Sequence, residues 1–186
     1  MAYKVVILGD SGVGKTSLIE MRMQNSFDSE KMPTIKPDVS TCVENVDGKQ
    51  IELSIWDTAG QEQYFSLATM FVRDANVAIL VGDITNEISI DNIGKWEQLL
   101  KETQPNAEVI VAINKSDLAR NNQKLVGQVR DKLIHNYTDI MFVSAITGNN
   151  VSQLFKTVAQ KCHNLGFESE NALKLTPHQS EKKDCC

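Results

Sequence analysis

Four short stretches of the chain are apolar at every position: VVIL (5–8), VAILV (77–81), VIVAI (109–113) and IMFV (140–143). A strand with one face in water alternates polar and apolar side chains. Runs without alternation predict strands buried on both faces, as in a parallel sheet. Between them, apolar positions recur at helical spacing. Val151, Leu154, Phe155, Val158, Ala159 and Cys162 form one stripe, Leu125, Val129 and Leu133 a second, and Ile93, Trp96 and Leu100 a third. Residues 38–56 differ, with two strand-like runs joined by Asp47-Gly48, the signature of a tight antiparallel hairpin. The whole pattern predicts an α/β fold: a doubly wound, mostly parallel sheet with one antiparallel hairpin and helices on both faces. After Gly166 the stripe stops and the chain turns polar, with a proline. Residues 1–166 are therefore expected to form one domain and residues 167–186 a flexible tail.

The length of 186 residues suits that division. A domain of this size hides roughly 70% of its unfolded surface and needs no staples. With 41% hydrophobic and 23% charged residues, the composition is that of a globular protein rather than a disordered chain. The net charge of −5 argues against a nucleic-acid partner, which calls for a basic face. No apolar run approaches the roughly 18 residues that span a bilayer. The start, MAYKVVILGD, has no basic lead before a cleavable apolar core, so no signal peptide is expected and a cytosolic location is. The cysteines are Cys42, Cys162, Cys185 and Cys186. Their spacing fits no zinc site, and disulfides are not expected in a reducing compartment.

Candidate chemistry starts at GDSGVGKT (9–16), which follows the first apolar strand and precedes a helical stretch. Gly9, Gly14, Lys15 and Thr16 satisfy GxxxxGK[ST], and strand-then-helix is the context the motif needs. Backbone N–H groups of Gly12, Val13, Gly14, Lys15, Thr16 and Ser17 are placed to curl around phosphates. Lys15 would reach the β and γ oxygens, and the Thr16 hydroxyl would bind magnesium.

Later stretches choose the nucleotide. Asp57-Thr58-Ala59-Gly60-Gln61 ends the hairpin's second strand. An aspartate there can hold a magnesium shell, the Gly60 N–H can meet a γ-phosphate, and Gln61 can orient an attacking water. Asn114-Lys115-Ser116-Asp117 follows the third apolar strand. The Asp117 carboxylate can accept from N1–H and the 2-amino group of guanine, donors that adenine lacks. Alone, NKSD is also compatible with an ordinary strand-to-helix loop. Ser144-Ala145 follows the fourth strand, so all these groups fall at carboxyl ends of strands, where ligands bind in such sheets.

Across residues 3–165 these motifs, in this order, resemble the Ras superfamily of small GTPases. WDTAGQE (56–62) and the Cys185-Cys186 pair resemble the Rab family, and YFSLATM (64–70) with DITNE (83–87) is similar to its early-endosomal branch. The resemblance implies a P-loop G domain that cycles between GTP and GDP, hydrolyses GTP slowly and regulates vesicular membrane traffic. Magnesium is the implied cofactor, held by Thr16, Thr34 and Asp57. Lys15, Thr34 and Gln61 would carry catalysis. Phe27 would flank the guanine, with Asn114, Lys115, Asp117, Ser144, Ala145 and Ile146 as the base site. Lys36, Pro37, Val39, Trp56 and Phe71 would face effectors. Implied partners are an exchange factor, a GTPase-activating protein and effectors, with the chain itself a monomer. Cys185 and Cys186 would carry two geranylgeranyl groups, anchoring the chain to the cytosolic face of endomembranes, the endosome above all. Two lipids matter, because one binds a membrane only marginally. The tail cannot substitute by charge, since Lys174, Lys182 and Lys183 are opposed by Glu168, Glu170, Glu181 and Asp184.

The chain departs from the resembled pattern at several points. Lys36-Pro37 stands where a glycine usually follows the switch I Thr-Ile, Val39 replaces a phenylalanine, and Ile146 replaces the lysine of an SAK motif. Gln63 stands for a frequent arginine and Gly82 for a frequent tyrosine. A GTP-binding interaction module with little hydrolysis and a divergent effector surface therefore stays open beside the switch. A phosphotransferase fits less well, because no second substrate site or lid is evident.

Overall fold

A computed structural model describes residues 2–26, 38–58 and 65–175. Six strands form one sheet in the order β2-β3-β1-β4-β5-β6. They are β1 (Tyr3–Leu8), β2 (Asp38–Val46), β3 (Lys49–Asp57), β4 (Val77–Asp83), β5 (Glu108–Asn114) and β6 (Ile140–Phe142). Only the β2–β3 pair is antiparallel. Each apolar run is a strand and each stripe a helix, as expected. The hairpin turn is Asp47-Gly48, with φ of 52° and 80°, the left-handed pair that a tight turn of this twist needs.

The strands lack alternation because both faces are covered. Val5 and Ile7 belong to one core, Val6 and Leu8 to the other, and all four are fully buried. The first core packs beneath α1 (Lys15–Gln24) and α6 (Val151–Leu175) through Leu18, Leu154, Phe155 and Val158. The second packs beneath α4 (Ile93–Thr103) and α5 (Gln123–Leu133), with Val72 from α2 (Phe65–Val72). The short α3 (Glu87–Asp91) is capped by Asn86, whose side chain accepts from the Ile88 and Ser89 N–H groups, so its exposed first turn is satisfied.

β1 lies in the middle, pairing with β3 on one side and β4 on the other. The strand order reverses there, which opens a crevice at its carboxyl end. Ion pairs fasten helices to the sheet away from that crevice, toward the amino ends of the parallel strands. Arg22 of α1 meets Glu44 of β2 at 2.6 Å. Lys161 of α6 bridges Glu108 and Asp139 at 2.8 and 2.9 Å.

The helix α6 continues past Gly166 to Leu175. The apolar stripe ends earlier, but FESENALKL (167–175) contains no proline or glycine and several strong helix formers. A stripe reports contact with a core, not the helix itself. Residues 176–186, with Cys185 and Cys186, lie outside the described residues.

Phe155 is the largest of the fully buried side chains under α6. Phe155→Ala should cost about 3–5 kcal/mol, read as a shift of the urea unfolding midpoint. A loss under about 1 kcal/mol would mean that this face does not depend on it.

Candidate functional site

The loop after β1 closes over its own lysine. Lys15 opens α1 and is 5% exposed. Its ammonium donates to the carbonyls of Gly9 at 2.7 Å and Asp10 at 2.8 Å. Gly9 and Gly14 have φ of 148° and 95°. A Cβ on Gly9 would strike the Val81 carbonyl, and one on Gly14 the Asn114 amide. Glycine is required at both for space as well as for φ. Burial drives the Lys15 pKa down to about 8, against the raising pull of Asp57 and Asp10. An anion in the cradle would reverse that shift, because opposite charge favours the ammonium.

Thr16 lies beside it on α1, and its hydroxyl donates to Asp57 Oδ2 at 2.6 Å. Asp57 is buried at the end of β3, opposite Ile7 in the β1–β3 register. The pair presents one hydroxyl and one carboxylate, hard oxygen donors suited to a magnesium ion that keeps waters and shares phosphate oxygens. Among the described residues no cluster of three or more His, Cys, Asp and Glu side chains could hold a metal.

The base motif is assembled around Asn114, buried at the end of β5. Its Nδ2 donates to the Val13 carbonyl at 2.8 Å, and its Oδ1 accepts from the Ala145 N–H at 3.1 Å. Lys115 turns left-handed, with φ of 60°, and its ammonium meets Asp83 Oδ2 at 2.7 Å. Burial pushes the Asp83 carboxyl up, but bonds from Lys115 and Thr85 outweigh it and hold the pKa below the usual carboxylate value. Asp117 lies in the 3₁₀ turn Ser116–Ala119, where Ser144 donates to its Oδ1 at 2.6 Å. Ser144 is fully buried and also accepts from the Thr147 N–H. Ile146 is 50% exposed beside it.

Gly12, Val13, Gly14, Lys15, Thr16, Ser17 and Asp57 thus share one end of the sheet with Asn114, Lys115, Asp117, Ser144, Ala145 and Ile146. Phe27, Thr34, Lys36, Pro37, Gly60 and Gln61 lie outside the described residues. Val39, Trp56 and Phe71 come together elsewhere. Val39 pairs with Trp56 across the hairpin, and the Trp56 and Phe71 rings stand 6.2 Å apart, tilted by 44°. The Lys4 ammonium sits 4.2 Å above the Trp56 ring. Sequence reasoning missed Asp10, Asp83, Asn92 and Trp96 as site neighbours. Asp83 carried a signal, since it ends β4, the strand between β1 and β5.

A glycine cradle with a buried lysine, a Thr–Asp oxygen pair and an aspartate held just past the end of β5 define a P-loop domain of the G-domain type. The Ras family model matches residues 4–164. The Ras-related protein RABA1c of Arabidopsis thaliana is 33% identical over 187 residues, an alignment that takes in 98% of this chain and 87% of that protein. The chain belongs to the Ras family of small GTPases, whose members bind guanine nucleotides and act as switches.

Because Lys15 titrates near 8 and phosphate would raise it, nucleotide binding should take up protons in mildly alkaline buffer. At pH 8.5 the uptake should exceed about half a proton, measured by calorimetry in two buffers of different ionisation enthalpy. No uptake would mean that Lys15 is already fully charged before the anion arrives.

Proposed function

We propose that this chain binds GTP and GDP, hydrolyses GTP slowly, and switches a step of vesicular membrane traffic in the manner of a Rab protein. The carrying observation is Asp117, whose carboxylate is oriented by the buried Ser144 hydroxyl at 2.6 Å. Held there, it would accept from the side of the base where guanine has two donors and adenine has none, and unpaired buried acceptors reject the wrong base.

The phosphates would lie on the loop N–H groups and on Lys15, at the start of α1, where the helix dipole favours negative charge. Thr16 and Asp57 would hold magnesium, joined by Thr34. The ion supplies neutralisation of charge on the phosphate oxygens. Gln61 is assigned to orient the attacking water and Gly60 to meet the γ-phosphate, both by resemblance. No arginine of this chain is assigned to the transferred phosphoryl group, so fast turnover needs one from a partner, worth roughly 10³–10⁵ in rate. Phe27 is assigned to flank the base. Lys36, Pro37, Val39, Trp56 and Phe71 form the proposed effector surface. Cys185 and Cys186 are the proposed lipid anchors, and YFSLATM with DITNE favours an endosomal membrane.

Asp117→Asn should exchange guanine for xanthine preference, because the new amide donates where the carboxylate accepted. Displacement of bound label by XDP and by GDP measures this. An unchanged GDP preference would remove Asp117 from the base site. Gln61→Leu should slow single-turnover hydrolysis by at least about tenfold with GTP affinity nearly intact. An unchanged rate would remove Gln61 from the catalytic role, and a natural chain with scarcely any single-turnover hydrolysis would favour the interaction module.

A further inference from the structure

The phosphate loop contains a charge that its function does not explain. Asp10 sits between Gly9 and the glycines that would wrap the phosphates. A carboxylate there opposes the binding of an anion. Its two oxygens are engaged from the face of the sheet that α4 covers. Asn92 Nδ2 donates to Oδ2 at 2.7 Å, and Trp96 Nε1 donates to Oδ1 at 2.8 Å. Trp96 is 4% exposed and packs in the core beneath α4, so its N–H is fixed in space. Asn92 ends α3 and begins α4. Hydrogen bonds to a charged acceptor are short and strong, and these two reach across 82 and 86 residues of sequence.

The backbone of the same residue faces the other way. The Asp10 carbonyl accepts from the Lys15 ammonium at 2.8 Å, beside the Gly9 carbonyl at 2.7 Å. A continuous path therefore runs from α4 through the Asp10 carboxylate and carbonyl to the lysine that would meet the phosphates. The carboxylate is drawn toward α4 and its charge is spent on two donors.

We propose that Asn92 and Trp96 are positioning residues of the phosphate site, which act through Asp10 to hold the loop and Lys15 in their anion-receiving shape and so set the lifetime of bound nucleotide. Underlying this is the assignment of the loop to guanine-nucleotide phosphates.

The test is release of GDP carrying a fluorescent methylanthraniloyl ribose ester from the full chain, in magnesium buffer with excess unlabelled GDP. Asp10→Asn keeps the shape but offers one acceptor to two donors, whichever way its amide turns. Release should quicken roughly 5- to 30-fold. Asp10→Asn combined with Asn92→Asp swaps donor for acceptor and restores both bonds, so release should return to within about threefold of the natural chain. A role in packing alone would not be rescued by such a swap. Trp96→Phe, which keeps a ring and deletes the N–H, should quicken release as Asp10→Asn does. Release within about twofold of natural for Asp10→Asn overturns the proposal, as does a swapped pair no slower than Asp10→Asn alone. If the natural chain fails to retain labelled GDP, the guanine-nucleotide assignment itself falls.

Discussion

One carboxamide holds the site together. Asn114 ends β5, is buried, and uses both ends of its amide, one on the Val13 carbonyl and one on the Ala145 N–H. Three loops that are far apart in sequence are thereby set at one edge of the sheet. The constraint spreads outward. Gly14 must be glycine because a Cβ would strike that amide. Lys115, next in the chain, must turn left-handed and carries its ammonium to Asp83. Loss of the Asn114 side chain would leave buried groups unpaired, at about 1–3 kcal/mol each.

Around that amide the charges are arranged in opposition. Lys15 is buried and held near pKa 8 by the loss of water, with Asp57 and Asp10 as its acidic neighbours. Lys115 offsets Asp83, and Ser144 orients Asp117. Burial of charge is expensive unless paired, and a bound phosphate would supply Lys15 with the partner that its own loop gives only as carbonyl dipoles. The fold delivers these groups because strand order reverses at β1, which places the ends of β1, β3, β4 and β5 side by side.

Much of this was legible in the sequence, for reasons that differ by element. Unbroken apolar runs such as VVIL, short and rich in β-branched residues, pointed to strands covered on both faces, and Asp47-Gly48 between two such runs pointed to a tight turn. The P-loop, Asp57 and NKSD were readable because their chemistry is local and their spacing is fixed. The continuation of α6 to Leu175 was hidden because polar helix formers leave no stripe. Asp10, Asn92 and Trp96 were hidden for another reason. Their bonds join residues more than 80 positions apart, and Trp96 already had an adequate explanation as core. The Lys4 contact on Trp56 was equally invisible, since it depends on β1 lying beside β3.

The central claim is that Asp117, braced by Ser144, selects guanine for a cradle built on Lys15. Competition of unlabelled GDP and ADP against labelled GDP in magnesium buffer tests it most directly. ADP should be weaker by about 10⁴-fold or more, as expected where buried acceptors are left unpaired by the wrong base. Displacement by ADP and GDP at similar concentrations would contradict the account.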